Sequence, residues 1–117
     1  IFPEGTSSDG NKVLPFKSSL FNIFEKEHNF KIPIQTITIV YKKTNKNLIN
    51  EKERSNLTWH SDMDFIPNMV QVLKKKSIEV EVIINDSFLP QKKRDRKKIA
   101  LHCWEKINYN LKKSLYK

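Results

Sequence analysis

The chain has one cysteine, two glycines and no apolar run long enough to cross a bilayer. Each shortage excludes something. A single thiol, Cys103, rules out an intrachain disulfide and suits a reducing compartment. It stands in an apolar helical pattern, as a buried and inert thiol would. Apolar stretches fall well short of the ~20 residues that a membrane-spanning helix needs. Internal repeats and low-complexity segments are absent. No RNA- or DNA-binding signature occurs, and aromatics do not alternate with the basic runs, so nucleic acid is not the expected partner.

What the chain does have is positive charge. Against 13 Asp+Glu stand 22 Lys+Arg, for a net charge of +9 in 117 residues. Such a balance suits an anionic partner, a phospholipid surface above all. Solvated lysine-rich faces and a compositional bias towards Lys, Asn and Ile give the same figure, so charge alone assigns nothing. The length fits about one domain with a single core.

Both glycines fall in residues 1–17, which run Ile1-Phe2-Pro3-Glu4-Gly5-Thr6-Ser7-Ser8-Asp9-Gly10-Asn11-Lys12-Val13-Leu14-Pro15-Phe16-Lys17. Glycine lets the backbone take positive φ or approach a ligand closely, so both permissive positions serve one loop. Successive N–H groups in such a bend, beside Thr6, Ser7 and Ser8, make a concavity suited to an anion. Lys12 and Lys17 add positive charge at its rim. By spacing alone, the same stretch also reads as a plain surface loop between a strand and a helix.

The string itself says more. Phe2-Pro3-Glu4-Gly5-Thr6-Ser7, followed by Gly10 and by Phe16-Lys17, resembles the third conserved block of the glycerophospholipid acyltransferases. The branch acting on 1-acyl-sn-glycerol-3-phosphate is the nearest match. In that family the block helps to hold the glycerol phosphate of the acceptor lipid. Residues 31–37, a Pro-containing apolar strand, resemble a fourth block. Trp59, Asp62, Met63 and Asp64 resemble the region that follows. Ser7 departs from the pattern, standing where the family usually has Arg and removing the strongest bidentate phosphate donor. That loss opens the way to a related acceptor such as a lyso-aminolipid.

The resemblance carries several expectations. The chain is the C-terminal portion of one acyltransferase domain, residues 1–117, continuing a longer protein. That protein moves an acyl group from acyl-carrier protein or a CoA thioester to the sn-2 hydroxyl of 1-acyl-sn-glycerol-3-phosphate, giving phosphatidate. It works at a membrane surface, on the cytoplasmic face of the inner membrane, with no cofactor beyond the acyl co-substrate and no metal. Glu4, Gly5, Thr6 and Ser7 contact the acceptor, with Lys17 a nearby charge donor. The family's catalytic pair, a His and an Asp with four residues between them, is not in this chain. His28 is followed five positions on by Pro33, His60 by Phe65 and His102 by Ile107. No catalytic residue is therefore expected here, and the chain alone should be inactive. The rival reading is a noncatalytic basic module that binds anionic lipid or nucleic acid.

Periodicity supplies the elements. Residues 18–27 read as a helix burying Leu20, Ile23 and Phe24, with His28 near its end. Residues 32–41 are β-branched and nearly continuous, as in a strand buried on both faces. The polar run 42–56, with Lys42, Lys43, Lys46, Lys52 and Arg54, reads as a solvated excursion or a headgroup contact. His60 and Asp62 could meet a cation but lack a third ligand; capping of the next helix by Asp64 or Asp62 is the better account. That helix carries Phe65, Ile66, Met69, Val70, Val72 and Leu73. Residues 78–84 form a second strand with Glu79 and Glu81 on its outward face. From Asp95, a stripe of Ile99, Cys103, Ile107, Leu111 and Leu115 marks a long helix packed on the sheet or lying on a membrane. The alternation argues for an α/β layer fold with a mainly parallel sheet, incomplete at its N-terminal side.

Overall fold

The computed structural model describes residues 1–25, 32–90 and 95–116. The order is a 3₁₀ helix Ser18–Phe24, β1 Ile37–Thr44, β2 Asn47–Leu48, α1 Glu51–Leu57, α2 Phe65–Leu73, β3 Ile78–Ile84 and α3 Arg96–Leu115. The sheet has three strands in the order β2-β1-β3, and both pairings are antiparallel. Strand–helix alternation leads one to expect parallel neighbours. Here α1 and α2 instead return the chain so that β3 runs against β1, with Ile37 opposite Ile84 and Tyr41 opposite Val80.

The first helix is of the 3₁₀ type rather than an α-helix, and its register differs from the expected one. Three residues per turn align positions three apart, so Phe21 and Phe24 point inward together. Leu20 and Ile23, expected inside, are exposed. Phe16 stacks on Phe21 with ring centroids 6.4 Å apart. Phe21, Phe24, Ile99, Ala100 and Cys103 make the core cluster, with Phe16, Ile34 and Phe88 against it. Burial of each large side chain contributes roughly 1.5–3 kcal/mol. The end of the expected first helix, His28 included, lies outside the described residues.

Helix α3 is held at its start by Asp95, whose side chain accepts from the Lys98 N–H and whose carboxyl is held below its ordinary value chiefly by that bond. Its first half packs on the 3₁₀ helix through Ile99, Ala100 and Cys103. Its second half lies on β1 through a polar layer. Asn110 Nδ2 donates to Thr38 Oγ1 (3.4 Å) and Asn85 Oδ1 (3.2 Å), and Asn85 Nδ2 donates to Thr36 Oγ1 (2.8 Å). Lys42 Nζ donates to the Ser114 carbonyl at 2.6 Å, and Ser114 Oγ bonds Glu81. The helix therefore packs on the sheet, as the apolar stripe suggests, but through amides and hydroxyls as much as through Leu111.

The polar run is not a solvated excursion. Asn45 and Lys46, at φ +50° and +70°, make the tight turn between β1 and β2, as two-residue hairpins require. Asn50 and Glu53 then form a reciprocal capping box that starts α1. Asp64 occupies the N-cap position of α2, but its side chain makes no capping hydrogen bond.

Candidate functional site

Local chemistry shapes the opening loop. Pro3 and Glu4 sit in a turn closed by the Gly5 N–H donating to the Phe2 carbonyl at 3.1 Å. Gly5 lies at φ +70° and Gly10 at +76°, so both glycines of the sequence take the left-handed conformation that glycine adopts without steric cost. The Lys17 N–H donates to the Pro3 carbonyl at 2.8 Å, drawing the end of the loop back to its start. Glu4 Oε2 accepts from the Leu14 N–H at 3.1 Å, a second strap across the loop. Asp9 turns the chain by accepting from the Asn11 N–H at 2.9 Å.

The far end of the loop rests on Arg54, which is 7% exposed. Its guanidinium donates to Asn11 Oδ1 at 2.7 Å, the Tyr41 carbonyl at 3.1 Å and the Ile49 carbonyl at 3.3 Å. Asn11 in turn donates to the Glu51 carbonyl at 3.0 Å. Burial lowers the Arg54 guanidinium from its ordinary value, opposed by the charges of Glu51 and Asp9. Arg54 is thus a clamp joining loop, β1 and α1, and not a free headgroup contact. Sequence reading missed it because nothing local in a charged run announces a partner 43 residues away.

The expected binding residues fall as follows. Glu4 is half-buried, whereas Gly5, Thr6, Ser7 and Lys17 are exposed. A Cβ placed on Gly5 would lie 2.8 Å from Lys17 Cδ, Cε and Nζ, so the Lys17 side chain lies across Gly5. Among the described residues, the successive N–H groups of Thr6, Ser7, Ser8 and Asp9 have no hydrogen-bond partner, while those of Gly5, Gly10 and Asn11 are used within the loop. Successive free amides and an ammonium near a glycine bend can hold an oxyanion.

The neighbouring recess belongs to the loop's other end. A groove of about 460 Å³ is lined by Pro15, Phe16, Ser18, Lys97, Ala100, Leu101 and Trp104. None of Glu4, Gly5, Thr6, Ser7 or Lys17 lines it. Trp104 is fixed there by its indole N–H, which donates to the Val13 carbonyl at 3.4 Å.

His60 is engaged at both ring nitrogens, with Ser55 Oγ 2.8 Å from Nε2 and Ser61 Oγ 3.2 Å from Nδ1. Among the described residues, no group of three His, Cys, Asp or Glu is placed to hold a metal ion. Cys103 is buried, and burial pushes its thiol up to about 11, so it is a poor nucleophile. Glu79 pairs with Lys43 at 2.9 Å, and Glu81 lies 3.8 Å from Lys42 Nζ, so these two carboxylates are engaged in ion pairs. Among the described residues, no helix is long and apolar enough to cross a membrane.

Two results follow for variants of this loop. At Gly5 an added methyl would meet only the mobile end of Lys17, so Gly5→Ala should cost about 1–2 kcal/mol, mainly from the positive φ. At Gly10 the methyl would meet Arg54 Cγ at 3.1 Å and Thr58 Cγ2 at 3.3 Å, and the bonded Arg54 cannot give way. Gly10→Ala should therefore be the more destabilising of the pair, read from urea midpoints. Burial raises the Glu4 carboxyl above 4.5, opposed by its bond from Leu14. A raised folded-state value gives a contribution fully present below the unfolded value and lost as pH climbs through the folded one. Glu4→Gln should thus gain on the wild type in thermal melts from about pH 4 to pH 7; a constant difference would contradict this.

Comparison with known proteins finds three similar chains, each named lyso-ornithine lipid O-acyltransferase. The Brucella abortus protein is 28% identical over 98% of this chain and 45% of its own length. The Rhizobium meliloti protein is 26% identical over 92% of this chain and 38% of its own. The Rhodobacter capsulatus protein is 34% identical over 88% of this chain and 36% of its own. The chain thus spans less than half the length of each of these curated relatives. No family model and no solved structure matches it.

Proposed function

We propose that this chain is the acceptor-holding portion of a lysolipid O-acyltransferase, in which the bend from Glu4 to Ser7 holds the polar head of a single-chain lipid. The observation that carries this is the run of unpartnered amides that begins at Thr6 and Ser7, directly after Gly5, across which the Lys17 side chain lies. They occur in the stretch that resembles the acceptor-binding block. The similar proteins support acyl transfer as the chemistry.

The acceptor is better read as a lyso-ornithine lipid than as 1-acyl-sn-glycerol-3-phosphate. The names of the similar proteins support that choice, and so does Ser7, which leaves the bend without the fork that grips a phosphate bidentately. An amino-acid headgroup offers a carboxylate, which two amides and an ammonium can hold. The apolar groove lined by Phe16, Leu101 and Trp104 would take part of the acceptor's chain, since its walls are apolar apart from Ser18 and Lys97. The acyl group would come from a thioester of acyl-carrier protein or coenzyme A at a membrane surface. A His and Asp supplied by the longer protein would deprotonate the acceptor hydroxyl.

The test is an acyl-transfer assay on the longer protein with both acceptors in competition. Preferred acylation of the lyso-ornithine lipid, with no turnover by residues 1–117 alone, supports the reading. Preferred acylation of 1-acyl-sn-glycerol-3-phosphate would replace the acceptor, and transfer to neither would remove the function.

A further inference from the structure

The opening loop differs in charge from the chain that carries it. Across the whole sequence Lys and Arg outnumber Asp and Glu by 22 to 13. Residues 1–17 break that balance, with two carboxylates, Glu4 and Asp9, against two ammoniums, Lys12 and Lys17. A carboxylate beside free amides weakens a site for phosphate, because like charges brought together are costly. Free amides and a carboxylate within a few residues instead suit a ligand that carries both signs.

The two carboxylates are not equivalent. Glu4 is half-buried and spends Oε2 on the Leu14 N–H as a strap across the loop. Among the described residues, the Asp9 carboxylate takes one hydrogen bond, from the Asn11 N–H to Oδ1 at 2.9 Å, and no salt bridge. A carboxylate offers about four acceptor sites, so most of the capacity of Asp9 remains. The Arg54 charge interacts with it, but the guanidinium N–H groups go to Asn11, Tyr41 and Ile49. The Asp9 N–H is also the last in the run of unpartnered amides that starts at Thr6. Three residues of chain span at most ~10 Å, so both ends of that run lie within reach of one small headgroup.

An ornithine headgroup with one amine bonded to an acyl chain keeps a carboxylate and an ammonium. We infer that Asp9 receives the ammonium of the acceptor's headgroup while the amides from Thr6 onward hold its carboxylate. Asp9 then selects a zwitterionic acceptor over an anionic one. Ser7 removes an attraction for phosphate, and Asp9 adds a repulsion against it, so the two residues act in the same direction. The inference rests on the reading of this bend as the acceptor site and extends it to the choice of headgroup.

Acyl transfer by the longer protein tests it, with Asp9→Asn and three acceptors. These are lyso-ornithine lipid, the same lipid acetylated on its free amine, and 1-acyl-sn-glycerol-3-phosphate. Asn keeps an oxygen for the Asn11 N–H, so the turn is retained, and urea midpoints report the fold of each variant. The wild type should use lyso-ornithine lipid with a kcat/KM about tenfold above that of its acetylated form, the effect of one charge-assisted contact. Asp9→Asn should erase that difference through a higher KM for lyso-ornithine lipid, and should improve use of 1-acyl-sn-glycerol-3-phosphate. Equal losses on all three acceptors would overturn the inference, because a purely structural Asp9 acts on them alike. A difference between the acetylated and free lipids that persists in Asp9→Asn would overturn it too. Lys17→Ala, run alongside, separates this from failure of the site itself: an unchanged acceptor KM there removes the bend, and the inference with it.

Discussion

Arg54→Ala should lower stability by about 3 kcal/mol and free the opening loop together with it. The guanidinium is buried, and three acceptors depend on it: the carbonyls of Tyr41 and Ile49 and the side chain of Asn11. Removing it leaves these oxygens with lost partners in a site with little room for compensation, and such buried groups are costly when unpaired. Asn11 would also lose its hold, and with it the packing of Gly10 against the Arg54 stem. Arg54→Lys should rescue little, because one ammonium cannot span three divergent acceptors. Urea unfolding gives the loss, and faster amide exchange at residues 9–11 should accompany it. A variant as stable as the wild type would mean that the clamp does not hold the loop.

Ile99→Ala should cost about 2–5 kcal/mol. Ile99 is 0% exposed and stands among Phe21, Phe24, Ala100 and Cys103. Truncation opens a cavity where α3 meets the 3₁₀ helix, the contact that sets the position of Phe16 and the loop end before it. Leu101, two residues on but 55% exposed, gives the contrast: Leu101→Ala should stay within about 0.5 kcal/mol. Cys103 supplies a second readout, because its thiol should become reactive in Ile99→Ala as its cover loosens. Equal midpoints for the two variants would contradict the placement of the core.

These particulars show what a linear reading can reach. β3 occupies residues 78–84 as expected, since a short β-branched run bounded by polar residues carries its own limits. Helix α3 was equally plain from the stripe that starts after Asp95, whose capping role the structure adds. The side that each strand presents was not legible. Glu79 and Glu81 suggest an outward face, yet Glu81 turns towards α3 and Val82 turns to solvent, because the helix brings its own polar partners in Ser114 and Asn110. Helix α1 was hidden in a charged run, although Asn50 and Glu53 stood at capping-box spacing within it. The 3₁₀ register escaped because seven residues are too few to tell period three from period 3.6 by pattern, although the two drift apart far enough to exchange Phe21 for Leu20 inside.

The candidate site divides the same way. Its bend was legible because glycine is used only where φ is positive, and the structure has both glycines there. The closeness of Lys17 to Gly5 also followed from the loop's closing on itself. The Arg54 clamp and the indole of Trp104 on Val13 were not legible, since both join residues far apart in the chain through a single side chain.

Steady-state kinetics of Lys17→Ala and Glu4→Ala in the longer protein, with acceptor and donor varied separately, tests the role of the bend most directly. The acceptor KM of Lys17→Ala should rise about tenfold, the effect of losing one charge-assisted contact, while the donor KM stays unchanged. Glu4→Ala should move the acceptor KM in the same direction. An unchanged acceptor KM in both variants would contradict the assignment of this bend to the lipid head.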